Sequence, residues 1–227
     1  MSSPAFDKWR SLATPHEIVD RNTLRTPQRA RGKKRVEHLL DATELVLTDH
    51  AQDDISLAHI AEQANVPLPS VYHFFANKNA IFVGLAGRYH QLLRQIAREP
   101  ISPPPQSWQA MYERRARDAV NFLNDHPAAM RLFMGAGVSV EVRNLDLSGN
   151  TLLANQRADD FRTYFQSDTL TDLENWMAVC MGLMDGIWAI SYAERGYIDE
   201  DCIAESMRAA LAYLRCYLPE FLPPRMS

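Results

Sequence analysis

Cysteine is scarce in this chain, long apolar runs are missing, and the familiar catalytic signatures are absent. The three cysteines, Cys180, Cys202 and Cys216, are odd in number and form no C-x-x-C pair. That argues against a disulfide framework and suggests no zinc site, so they read as small buried hydrophobes. No run of roughly 18 apolar residues occurs, and the start, MSSPAFDKWRSLATPHE, has no hydrophobic signal region, so the expected location is the cytoplasm with no membrane partner. There is no H-E-x-x-H, no G-x-G-x-x-G, no G-x-x-x-x-G-K and no Ser-His-Asp pattern tied to a strand turn. The seven histidines lack metal-ligand spacing, so neither an enzyme nor a metal or cofactor is expected.

What is present is apolar substance and an uneven charge distribution. Of 227 residues, 46% are hydrophobic, ample for a packed core. The net charge of -4 argues against a protein that coats nucleic acid, yet seven basic residues fall between Arg21 and Arg35. Such a run is either a solvated tail or an arm that adds counterion-release affinity for DNA.

Beside it lies Ser56 to Lys78, SLAHIAEQANVPLPSVYHFFANK. Ser56 suits an N-cap, and Leu57, Ile60, Ala61 and Ala64 make one apolar helical face. Asn65 enters the left-handed region at low cost and allows a sharp turn. Pro67 and Pro69 fit a first helical turn, so a second helix starts near Leu68. Its Val71, Phe74 and Phe75 are expected to face inward. Leu68, Pro69, Ser70, Tyr72 and His73 then point outward, toward groove edges and phosphates.

This stretch resembles the helix-turn-helix of the tetracycline-repressor (TetR) family. The resemblance rests on Ile60-Ala61, Asn65-Val66, Tyr72-His73-Phe74-Phe75 and Lys78, and covers residues 31 to 82. Two positions depart from the family pattern: Asn65 replaces the usual turn glycine, and Pro67 the usual Ser or Thr opening the recognition helix. The resemblance implies an all-α homodimeric transcription factor, usually a repressor released by a small ligand, with Tyr72 and Lys78 holding phosphates. Leu68, Pro69, Ser70 and His73 are the candidates at base edges, His73 equally a phosphate contact. Lys33 in the basic run and Ser56 at the cap complete the DNA-binding set. A two-fold dimer would prefer an inverted repeat in double-stranded DNA.

The division expected is a tail over 1–30, a helix-turn-helix domain over 31–80 and a helical ligand-binding and dimerisation domain over 81–227. An amphipathic helix over 32–50 supplies the third wall of the small domain. A helix from about 79 to 98 is long enough to act as a lever into the second domain. Helices over 107–124 and from Pro127 follow, then a less periodic stretch with a turn at Gly149-Asn150, and a helix through Phe161 and Phe165. Thr171 to Glu174 is a capping-box pattern opening a helix to Arg195. That helix is apolar nearly all round, and Gly182, Gly186, Ala189 and Ala193 form a small-residue stripe. Asp199 caps the last helix.

By the resemblance, the last two helices pair with their twins through Gly182, Gly186, Ala189, Ala193, Met207, Ala210, Leu214 and Tyr217; the alternative is an intrachain core. Met111, Tyr112, Phe122, Met134, Phe161, Phe165, Met181, Trp188 and Tyr192 could line an apolar cavity for a hydrophobic or aromatic effector, or be plain core. Arg115 could anchor an acidic ligand or pair with an acid, and Asp185 needs a partner if buried. A helical adaptor that binds protein, and an activator of the same family, stand as alternatives to a repressor.

Overall fold

The computed structural model describes residues 30–50 and 54–225. Among these, nine helices occur in the order α1 (Ala30–Asp49), α2 (Leu57–Gln63), α3 (Leu68–Phe74), α4 (Lys78–Arg98), α5 (Trp108–Asp125), α6 (Pro127–Met134), α7 (Val140–Tyr164), α8 (Leu173–Arg195) and α9 (Glu200–Leu214). The only pairing of extended backbone among them is an isolated bridge between Phe165 and Pro224. Of the tail expected over 1–30, residues 1–29 lie outside the described residues.

Packing divides the chain into two units. One runs through His90 and takes in His126–Ser148; the other comprises Gln91–Asp125 and the chain from Gly149. In the first, Leu39, Leu47, Ile60, Val71, Phe75, Ile81 and Leu85 are fully buried. Burial of this kind is the main stabilising term of a small helical domain. Arg88 of α4 bonds Asp41 and Glu44 of α1, both at 2.5 Å. His38 Nε2 lies 2.8 Å from the Ala64 carbonyl, joining α1 to the end of α2.

In the second unit α8 and α9 pack on one another. Trp188 Nε1 donates to Ser206 Oγ at 3.0 Å, and Cys180 Sγ lies 3.7 Å from the Ala210 carbonyl. Asp199 caps α9, its carboxylate accepting from the Cys202 amide at 2.8 Å. Gly196 ends α8 at φ 80°, a left-handed conformation that glycine adopts without steric cost. At the other end Asp172 takes the N-cap position, and its carboxylate accepts from the Asn175 side chain. The chain end returns to α5, where Trp108 Nε1 donates to the Pro219 carbonyl at 3.0 Å.

The expected turn at Gly149-Asn150 is replaced by unbroken helix, for α7 runs through it. Its buried positions, Val142, Asp146, Gly149, Leu153, Arg157 and Phe161, recur every three or four residues. The stripe is helical, but three members are polar or glycine. A search for apolar periodicity therefore misses it.

Candidate nucleic-acid interface

Local chemistry builds the α2–α3 corner. Ser56 is in extended conformation, and its Oγ accepts from the His59 amide at 3.2 Å, satisfying one of the unpaired first-turn donors of α2. Asn65 turns the chain at φ 50°, and the Val66 amide closes on the Ala61 carbonyl at 2.9 Å. Asn is tolerated in this left-handed region where bulkier residues are strained.

Pro67 occupies the N-cap of α3 without a side-chain cap bond. Neither Pro67 nor Pro69 has an amide hydrogen, and the Ser70 amide is spent on the Pro67 carbonyl at 2.8 Å. The start of α3 is therefore poor in the amide donors with which a helix N-terminus ordinarily holds a phosphate. A phosphate held at this helix start would have to be bound by side chains instead.

Those side chains are presented outward. Tyr72 is 55% exposed, Pro69 and His73 are exposed, and Leu68 and Ser70 are half-buried. Val71 and Phe75 face the core as expected, but Phe74 does not join them. It is half-buried, its ring edge-to-face with His73 at 4.8 Å. Phe74, His73 and Ser70 line an open cleft of about 590 Å³ with Arg31, Gly32, Lys34, Arg35 and His38 from α1. The first turns of α1 thus set cations beside α3. Lys33 is exposed but outside the cleft wall, while Arg31, Lys34 and Arg35 were not singled out within the basic run. Lys78 opens α4 with its Nζ 6.0 Å from the centre of the Phe82 ring, a cation–π distance.

In the second unit the structure reassigns several residues. Arg115 is buried and forms a fork with Asp160, Nε to Oδ2 at 2.9 Å and Nη2 to Oδ1 at 3.1 Å. Arg157, also buried, lies 3.6 Å from the same carboxylate. Burial holds the Arg157 guanidinium below its ordinary pKa, against the pull of Asp160. Asp185 accepts from Asn150 Nδ2 at 2.7 Å. Tyr112 Oη donates to Met184 Sδ at 3.6 Å, and burial drives its phenol well above the usual range. Burial likewise pushes the Cys180 thiol up to about 12.

Met111, Phe161 and Phe165 are fully buried, Phe122 and Trp188 nearly so, and Met181 and Tyr192 are half-buried. Met134, at the end of α6, belongs to the first unit. Arg157 and Asp160 were missed because α7 carries too little apolar regularity to set its buried face. The i, i+4 and i+8 spacing of Leu153, Arg157 and Phe161 was the available signal.

The small-residue stripe of α8 faces outward. A Cβ at Gly182 or Gly186 would meet nothing within 4 Å, and Leu183 and Ile190 are 40% and 59% exposed. The helix is thus not covered on every side by its own chain, although by length and composition it is apolar enough to span a membrane. Met207, Ala210 and Leu214 point the other way and are 7%, 0% and 0% exposed. They pack inside the protomer. Tyr217 is 47% exposed and stacks on Trp176 at 4.9 Å. Among the described residues no cluster of three or more His, Cys, Asp or Glu is placed to hold a metal ion.

The class that this corner defines is a helix-turn-helix DNA-binding protein. Residues 39–85 match the bacterial regulatory proteins of the tetR family. No curated protein sequence matches the chain. Solved structures share its fold. A tetR-family transcriptional regulator from Streptomyces coelicolor is 17% identical, with 81% of this chain and 80% of that one covered at a TM-score of 0.61. A TetR transcriptional regulator from Rhodococcus sp. RHA1 is 17% identical over 80% and 96%, at 0.57. The fatty acid degradation regulator FadR from Bacillus halodurans is 15% identical over 83% and 97%, at 0.57. Residues 39–85 thus form a helix-turn-helix of the tetR type, and the described residues share the fold of these solved regulators.

Proposed function

We propose that the protein is a cytoplasmic homodimeric repressor that binds an inverted-repeat operator and is released by a small, largely apolar effector. The observation that carries this is the pairing of an exposed, hydrogen-bonding α3 face with the cations of α1 along one open cleft. α3 enters the major groove with Ser70 and His73 at base edges and Leu68 or Pro69 against a thymine methyl, while Tyr72 and Lys78 hold phosphates. Arg31, Lys34 and Arg35 run along the backbone and add affinity that salt removes.

Residues 31–80 are on this reading the DNA-binding domain, 81–227 the effector and dimerisation domain, and 1–30 a basic tail. The outward stripe of Gly182, Gly186, Ala189 and Ala193, with Leu183, Ile190 and Tyr217, packs on the same surface of a second copy. A two-fold dimer that reads one face of the duplex presents its two α3 helices about one DNA turn, roughly 34 Å, apart. Whether binding represses or activates depends on where the operator lies relative to a promoter. Selection of bound sequences from a random DNA pool tests the reading. An enriched inverted repeat is expected; enrichment of no sequence, or affinity insensitive to salt, would favour a protein-binding module.

A further inference from the structure

Two arginines and one carboxylate are buried together in the second unit. Asp160 has both oxygens engaged by Arg115, so Arg157 is left with a contact of 3.6 Å to an oxygen already in use. Arg157 Nη1 is inaccessible to solvent and has no hydrogen-bond partner, and only 10% of its side chain is exposed. Asp118, which acts on Arg157 without a direct bond, is bonded by Arg114, and Asp185 accepts from the neutral Asn150 side chain. Within the three-residue cluster two buried guanidiniums thus face one carboxylate, an arrangement that is costly without a counter-ion. Beside it stands the phenol of Tyr112, which in turn meets the thiol of Cys180 and the thioether of Met184.

We propose that Arg157 is the anchor for an anionic effector, an organic monocarboxylate whose headgroup bonds the guanidinium and whose apolar body lies toward Tyr112, Cys180 and Met184. This rests on the reading of this half as the effector domain and narrows its ligand from merely apolar to acidic. The charge count selects the class. Two cations and one carboxylate leave room for one negative charge, and a dianion would invert the imbalance. A guanidinium also matches a carboxylate in two parallel hydrogen bonds, which an alcohol cannot form.

The test uses the purified full-length protein, with sodium octanoate and sodium dodecanoate as probes and 1-octanol and 1-dodecanol as uncharged counterparts. Binding is followed by calorimetry and by the rise in melting temperature. The acids are expected to bind at least about tenfold more tightly than the alcohols, the fold-change of one charge-assisted hydrogen bond. Arg157→Gln should abolish that preference, and Arg157→Lys should retain part of it. Equal binding of acids and alcohols by the unaltered protein would overturn the acidic anchor and leave the apolar effector reading standing. Binding of neither would overturn both. An unchanged acid preference in Arg157→Gln would also sink the assignment. The comparison of probes needs no variant, so a variant that fails to fold does not blunt it.

Discussion

Arg31 and Arg35 on α1 keep their charge in water beside the exposed face of α3, whereas Arg115 and Arg157 on α5 and α7 carry theirs into the interior. The first pair pays no desolvation and stands ready for a polyanion. In the second, the charge is acceptable only because Asp160 is there, and it is incompletely matched even so. The uncovered apolar surface is distributed the opposite way. The first unit exposes polar groups on α3, while α8 of the second exposes Leu183 and Ile190 around two glycines. Identical side-chain types thus serve long-range attraction in one place and a specific, dry contact in the other, and solvation decides which.

The strongest way to break this comparison is to remove the shared carboxylate. Asp160→Ala leaves two buried guanidiniums without their partner and should cost about 3–5 kcal/mol of stability in urea denaturation. Arg35→Ala, on the solvated side, should change stability by less than about 0.5 kcal/mol while weakening DNA binding. Comparable losses from both would mean that burial does not separate the two sets.

Next in size is the apolar face. Gly186→Arg meets nothing in its own protomer, so it should leave the fold intact. In the proposed dimer it would set like charges against each other across the two-fold axis and weaken association on the order of a hundredfold, read by sedimentation, with operator affinity falling alongside. A dimer of undiminished strength would move the interface elsewhere.

Smaller effects are expected at the DNA face. Lys78→Ala should weaken operator binding about tenfold and lower the slope of affinity against salt by about one, and Tyr72→Phe should cost about fivefold. Gel shifts at several salt concentrations measure both, and the melting temperature should hardly move. Ser56→Ala should cost about 1 kcal/mol of stability through the lost N-cap.

The least effect concerns acid. Hydrogen bonding from the Cys202 amide, helped by Arg195, holds the Asp199 carboxyl below its ordinary value of 3.8. Its contribution to stability is complete above that value and is lost as the pH falls through the lower, folded-state value. Asp199→Asn should flatten the acid limb of the stability curve correspondingly, and an unaltered limb would mean that the cap carries no charge-dependent part.

Much of the helix-turn-helix was legible before any coordinates, residue by residue. The Ser56 cap, the left-handed Asn65 and the start of α3 at Leu68 all depend on chemistry within a few residues of chain. Phe74 was misplaced because helical spacing says which residues share a face but not how far that face is covered. The missed continuity of α7 has a related cause: its buried stripe contains Asp146, Gly149 and Arg157, which look like surface or turn until their partners are known. The outward direction of the α8 glycines, against the inward direction of Met207, Ala210 and Leu214, was beyond reach as well, since both stripes have equally good helical periods.

Local rules within the sequence therefore determined the helical class, the position of the α2–α3 corner and the outward set on its second helix. Capping, left-handed turns and proline placement are short-range effects, decided by neighbours in the chain. Only the tertiary structure decided that Arg115 meets Asp160 across 45 residues of chain, that Arg157 is left short of a counter-ion and that α8 keeps an apolar face uncovered. Those outcomes depend on which distant surfaces remove one another from water, and no local pattern encodes that.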